Sequence, residues 1–217
     1  MTNNYFVAEN LCKTWKDSGE ISKQISFSLR AEKSSMTALV GPSGSGKSTI
    51  LRMIAGFVAP DNMKKDCILS LDGKNLLSLP PGKRNVGMVF QNATLFPHLT
   101  IEDNVAYGLR CAGKGKEESR KMAAEFLEKF ELAGFSKRKP ESLSGGEAQR
   151  VALARTLILW PKLVLFDEPL SALDTSLRKR LAKDIVMMQK ERGFTGIFVT
   201  HDIQEAEFVS DKILYLK

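Results

Sequence analysis

Cysteine is scarce in this 217-residue sequence, histidine is scarcer, and no long apolar run interrupts it. The three cysteines, Cys12, Cys67 and Cys111, are odd in number and far apart, with no C-x-x-C pair. That pattern suggests neither a disulfide framework nor a zinc site, and it reads as ordinary thiols in a reducing cytosol. The most apolar stretch, 151–166, is broken by Arg155, Pro161 and Lys162. It falls short of the ~20 apolar residues that a spanning helix needs, so any membrane association must run through a partner. The opening MTNNYFVAEN has neither a basic flank before an apolar core nor a lipidation motif, so the expectation is a protein that stays where it is made. Internal repeats and low-complexity tracts are also missing, and the length suits one sizeable domain or a core with an inserted lobe.

Charge is the first thing present. The net value is +7, which suits nucleic acid, an anionic membrane face or a small polyanion equally well. The densest basic groups, Lys64-Lys65, Lys83-Arg84 and Lys137-Arg138-Lys139, are dispersed, and no aromatic-interleaved basic motif accompanies them. Solvated loops are therefore expected rather than a nucleic-acid surface.

Strand-like segments at 5–11, 25–31 and 36–40 come first, the last running straight into a glycine-rich stretch. Residues 48–55 have helical spacing and stop at Gly56. From about 101 to 158 the pattern is helical, with Met122, Phe126, Leu127 and Phe130 on one face and Glu118, Lys121, Glu125 and Lys129 on the other. Strand character returns at 163–166, 196–200 and 212–216, with a helix through 177–189. Strands alternating with helices predict an α/β fold with a mostly parallel sheet.

The glycine-rich stretch is Gly41, Pro42, Ser43, Gly44, Ser45, Gly46, Lys47, Ser48 and Thr49, matching G-x-x-x-x-G-K-[ST] between a strand and a helix. Glycines let successive N–H groups curl inward toward phosphate oxygens, and the helix start adds its positive end. Lys47 is expected to reach the β- and γ-phosphates of ATP, and Ser48 to ligate Mg²⁺. Phosphoryl transfer to water also needs carboxylates. The run LVLFDEP supplies Asp167 for the metal and Glu168 to polarise the attacking water.

A third motif, Leu143-Ser144-Gly145-Gly146-Glu147, is followed by AQRVALAR. With it the chain resembles ATP-binding cassette (ABC) ATPases, in which the usual fifth residue is Gln. The resemblance covers nearly the whole chain. It implies a P-loop NTPase (RecA-like) core with an N-terminal antiparallel β subdomain and an inserted helical subdomain, with 1–90 and 159–217 as core and 91–158 as helical part. It also implies head-to-tail homodimers in which Ser144, Gly145 and Gly146 meet the γ-phosphate bound by the opposite copy. Ser144 can cap the next helix, whose N-terminus offers N–H groups to an anion.

Further site residues are carried by resemblance. Trp15 in LCKTW occupies the place of an adenine-stacking aromatic, or is a core tryptophan. Gln91 in MVFQ matches the glutamine that reaches Mg²⁺ and the water; Asp174 in SALD matches a loop communicating across the dimer. His201 in FVTHD matches the histidine that contacts the γ-phosphate and helps hold Glu168. His98 reads as structural or partner-facing.

The segment 91–110, with Leu95, Phe96 and Leu99, is similar to surfaces that receive a short helix of a membrane subunit; a hydrophobic edge of the lobe's own core is the other reading. With 80–91 it resembles bacterial importer cassettes for ferric iron, thiamine, polyamines or sugars. The implied protein is a peripheral ATPase on the cytoplasmic membrane face, working with membrane-spanning permease subunits and, indirectly, an extracytoplasmic solute-binding protein. The competing readings are a soluble ABC ATPase acting on nucleic acid or the ribosome, and a P-loop regulator or small-molecule kinase. Residues 60–73 depart from such relatives, and a longer polar loop without catalytic duty is expected there.

Overall fold

The computed structural model describes residues 4–17, 20–61 and 66–216. β1 (Asn4–Asp17) and β2 (Glu20–Glu32) pair antiparallel, and β4 (Ile68–Leu71) and β5 (Lys74–Asn75) extend them into a sheet ordered β2-β1-β4-β5. In β2 the buried Ile25, Phe27, Leu29 and Ala31 alternate with exposed Gln24, Ser26, Ser28 and Arg30. That period of two is the mark of a sheet with one face wet and one dry.

The second sheet runs β6 (Val86–Val89), β7 (Leu163–Asp167), β8 (Thr195–Thr200), β3 (Met36–Val40) and β9 (Lys212–Tyr215), in that spatial order, and each described pairing is parallel. β3, β7 and β8 are buried at every position, which is why they read as continuous apolar runs rather than alternating ones. Their side chains still alternate between faces. Leu163 and Leu165 join Leu39, Ile197 and α1 (Lys47–Ala55) in a core shared with the antiparallel sheet. Val164 and Phe166 point to the opposite core, among the helices.

Those helices are α2 (Ile101–Cys111), α3 (Lys116–Glu128) and α4 (Gly145–Leu157), inserted between β6 and β7, and α5 (Thr175–Arg192). α6 (Ile203–Val209) packs over β3, where Ala206 meets Ala38 and Val40. On α3 the expected apolar side is inward, with Phe126 and Leu127 buried and Met122 against the core, and the four charged positions are exposed. Phe130 reaches the same core from beyond the helix end.

One sequence expectation needs correcting. Residues 62–65 of the anticipated polar loop lie outside the described residues, but Ile68–Leu71 form a strand. Leu69 and Leu71 alternate into the core and the segment pairs with β1, and that tertiary pairing overrides the polar surroundings.

Because the second sheet is parallel, β6, β7, β8 and β3 all end on the same edge. Glu168, His201 and Gly41 immediately follow β7, β8 and β3, and Gln91 lies two residues beyond β6. Ligands of open α/β sheets bind outside such carboxyl ends.

Candidate functional site

The loop leaving β3 owes its path to glycine. Gly44 and Gly46 have φ of 82° and 96°, values that L side chains rarely adopt. A Cβ on Gly46 would also run into the Ile25 side chain of β2. Lys23, another β2 residue, donates to the Gly44 carbonyl, so the antiparallel sheet lies against this loop. Pro42, Ser43 and Gly44 are exposed, while Ser45, Gly46, Ser48 and Thr49 are half-buried.

α1 begins without a side-chain cap and without an acid in its first turn. Its positive end is therefore not neutralised from within. Lys47, only 5% exposed, arches over the loop and donates from Nζ to the carbonyls of Gly41 at 2.7 Å and Pro42 at 2.9 Å. A buried cation, a run of loop amides and a helix start together form a concavity suited to a polyanion.

Asp167 closes β7 and is 4% exposed. Its Oδ1 accepts a hydrogen bond from Ser48 Oγ at 2.8 Å. Burial pushes its pKa above the usual carboxylate value, with the Ser48 bond opposing, because a desolvated carboxylate resists ionising. The two facing hard oxygens fit Mg²⁺ better than a soft metal. Among the described residues no group of three or more His, Cys, Asp or Glu is placed to hold a metal.

Glu168 sits at φ 44°, a left-handed conformation that costs a non-glycine residue about 1–3 kcal/mol. Its backbone N–H donates to Val199 O at 3.1 Å, and its carboxylate lies 3.2 Å from His201 Nδ1. The acid of this strained turn thus meets the histidine at the end of the neighbouring β8. Gln91 is exposed two residues beyond Val89, whose register partner is Phe166, so it emerges beside the acid pair. From α4, Gln149 Nε2 donates to Phe90 O at 3.0 Å and steadies that exit.

Ser144 and Gly145 are exposed and Gly146 is half-buried. Ser144 caps α4, accepting from Glu147 N at 3.3 Å, while the Glu147 carboxylate accepts from Ser144 N at 2.7 Å. This is a capping box. The reciprocal bond from Ser144 N–H holds the Glu147 pKa below its usual value. The S-x-x-E spacing was a signal for it that the sequence reading left unused. Leu173 approaches Gly146 so closely that a Cβ there would lie 3.0 Å from its Cδ2.

Asp174 lies just after Leu173 and caps α5, its Oδ1 accepting from Ser176 N and Leu177 N, both at 3.0 Å. Trp15 packs partly buried against the core of the antiparallel sheet and pairs across strands with Lys23, whose amine touches the phosphate loop. Its packing against that core agrees with the reading of Trp15 as a core tryptophan.

Of the three apolar residues at 95, 96 and 99, Leu95 packs into the helical core and all three are half-buried. Phe96 alone of them lines a cleft of about 700 Å³ with Tyr107, Arg155, Leu159, Met88 and Pro161. Its ring lies 4.7 Å from that of Tyr107 and 5.3 Å from the Arg155 guanidinium, which also donates to Thr94 O at 3.0 Å. Arg155, read from the sequence only as a break in an apolar run, is therefore part of the cleft wall. His98 is exposed, with its ring 6.2 Å from Phe96 and its carbonyl accepting from Lys139.

The profile of a family described as ABC transporter matches residues 23–171. The chain is 46% identical over 211 residues to the Fe(3+) ions import ATP-binding protein FbpC of Agrobacterium fabrum, covering 97% of this chain and 58% of that protein. It is 48% identical over 186 residues to the spermidine/putrescine import ATP-binding protein PotA of Nitrosospira multiformis, covering 86% of this chain and 50% of that protein. The chain thus spans about half to three-fifths of the length of these curated relatives. The dimeric structure of a post-hydrolysis state of the ATP-binding cassette MJ0796, bound to ADP and Pi, superposes with a TM-score of 0.86 at 34% identity, covering 98% of this chain and 94% of that one.

Proposed function

This chain belongs to the ABC transporter family, and we propose that it is the ATP-hydrolysing subunit of a bacterial importer, using ATP-driven dimer closure to power uptake through separate membrane subunits. The observation that carries this reading is the meeting of three strand ends. Ser48, beside Lys47, lies 2.8 Å from Asp167, and the next residue, Glu168, lies 3.2 Å from His201.

In this reading the loop amides and Lys47 bind the triphosphate, with Lys47 exchanging the Gly41 and Pro42 carbonyls for phosphate oxygens. Ser48 and Asp167 would hold Mg²⁺, with Gln91 alongside; the ion, when bound, neutralises charge developing on the phosphates. Glu168 orients water and takes its proton as the water oxygen bonds to the γ-phosphorus and the bond to the ADP oxygen breaks. His201, in reach of Glu168, holds the acid and faces the γ-phosphate. Trp15 offers its face to adenine. The exposed Ser144, Gly145 and Gly146 are available to a second copy's γ-phosphate, and the adjoining loop to Asp174 carries the state of one site to the other.

Similarity to FbpC and PotA supports import over export, and similarity to a dimeric cassette supports the homodimer. No helix among the described residues is long and apolar enough to cross a membrane. The permease is proposed to seat a short helix in the cleft at Phe96 and Tyr107, holding the chain at the cytoplasmic membrane face, and a solute-binding protein acts indirectly through that permease.

Glu168→Gln tests the reading. Turnover of ATP should fall roughly 10²–10⁴-fold while nucleotide still binds, and light scattering should show an ATP-dependent dimer. Hydrolysis near the wild-type rate in that variant would remove Glu168 from its role.

A further inference from the structure

The His201 imidazole is 63% exposed, so packing does not aim it at Glu168; its aim must come from the turn that carries it. That turn is pinned by one hydroxyl. Thr200, the last residue of β8, is 2% exposed. Its Oγ1 accepts from the Asp202 backbone N–H at 3.0 Å, on the far side of His201, and donates its proton to Glu205 Oε2. A hydroxyl has one proton and two lone pairs. With a carboxylate taking the proton, a lone pair is left to face the Asp202 amide.

Glu205 is not needed to begin α6. Asp202 already caps that helix, accepting from Gln204 N at 2.9 Å and Glu205 N at 3.1 Å. Nor is the carboxyl held there without cost: burial raises its pKa, opposed by the Thr200 bond and then by the charge of Arg178. Its Oε1 and the Nε of Arg178 are buried without a hydrogen-bond partner among the described residues. Both side chains line a cavity of about 310 Å³ between α5 and α6. Arg178 in turn donates from Nη2 to Leu173 O at 2.9 Å, one residue before Asp174. The glutamate therefore stands where the turn bearing His201 meets the loop bearing Asp174.

We propose that Glu205 is a positioning residue for His201: by accepting the Thr200 hydroxyl proton it fixes the turn that holds the imidazole against Glu168, with Arg178 linking that turn to the Leu173–Asp174 loop. The proposal rests on the ATP-hydrolysing reading for its effect on rate, but the fixed turn can be observed separately.

The experiment compares wild type, Glu205→Ala, Glu205→Gln and Thr200→Val in steady-state MgATP hydrolysis and in native-state hydrogen exchange at the Asp202 amide. Glu205→Ala should lower kcat about tenfold and leave KM for MgATP within about twofold, as expected when a positioning hydrogen bond is lost without loss of ground-state binding. Glu205→Gln keeps an acceptor oxygen and should recover kcat to within about threefold of wild type. Thr200→Val should reproduce Glu205→Ala, and the double variant should be no slower than either, as for two ends of one bond. Asp202 exchange should quicken in Glu205→Ala and Thr200→Val but not in Glu205→Gln.

A wild-type kcat with a protected Asp202 amide in Glu205→Ala overturns the proposal, and so does a Glu205→Gln variant as slow as Glu205→Ala. Should Glu205→Ala not fold, Glu205→Asp, shorter by one methylene, stands in for it, and wild-type kcat and exchange there count against the proposal equally. A wild-type chain that turns over no ATP sinks the function reading instead, and the Asp202 exchange pattern alone then decides for or against the fixed turn.

Discussion

At Asp167 the fold and the proposed chemistry pull in opposite directions. The carboxyl is nearly buried and its pKa is raised, chiefly by desolvation. Between the ordinary carboxylate pKa and the raised folded one, the folded chain keeps a proton that the unfolded chain has released. The nucleotide-free protein should therefore lose stability as pH rises through that interval. Asp167→Asn removes the titration while keeping an acceptor for Ser48, so melts from about pH 4 to 7 should lose that slope and the Tm at neutral pH should rise. The same variant should weaken the Mg²⁺-dependent part of ATP binding by roughly 10–100-fold, measured by calorimetry with and without chelator. A variant that melts lower and binds MgATP as before would contradict both halves. The residue types of this site, Lys47, Ser48, Asp167 and Glu168, were legible in the sequence because each stands in a short contiguous motif. The left-handed backbone at Glu168 was not, since it depends on the N–H bond to Val199 on the neighbouring strand.

Among the elements, α4 shows how a departure from a familiar motif can leave the physics intact. The acid at Glu147 makes the same reciprocal bond with the Ser144 N–H that a glutamine could make from its amide oxygen. Ser144→Ala should cost about 1 kcal/mol, or about 3 °C in Tm, whereas Glu147→Gln should stay within about 0.5 kcal/mol of wild type. Thermal melts distinguish the two, and a Glu147→Gln chain as unstable as Ser144→Ala would mean that charge, rather than the bond, holds the cap. Glu147's pKa is lowered, so the stability it contributes is present above its unfolded pKa and is lost as pH falls through the folded one. The helix period was read correctly on α3, but the strand periods caught only 5–11 and 25–31 of the longer β1 and β2. They failed at β4, whose four residues sit in a polar stretch and become a strand only because β1 offers them an edge.

For the whole molecule, two surfaces carry the proposed work: the exposed tip at Ser144 for a second copy, and the cleft at Phe96 and Tyr107 for a membrane partner. Tyr107→Glu, at a position 44% exposed, should leave the ATP hydrolysis of the isolated chain within about twofold, since it touches none of the phosphate-site residues. It should abolish co-purification with the permease; retention of the permease at wild-type yield would place the docking surface elsewhere. The sequence by itself determined the motifs that carry the proposed chemistry, the alternation of strands and helices and the resemblance to one family, because these are properties of short contiguous segments. The tertiary structure decided which residues meet: Ser48 with Asp167, Glu168 with His201, and Thr200 with Glu205, a pair that the sequence motifs did not single out. The first two meetings depend on parallel strands far apart in the chain ending on one edge, and the third on α6 folding back against the end of β8. Local pattern carries no record of strand order or of which helix returns to which strand, so only the assembled sheet and its covering helices could settle them.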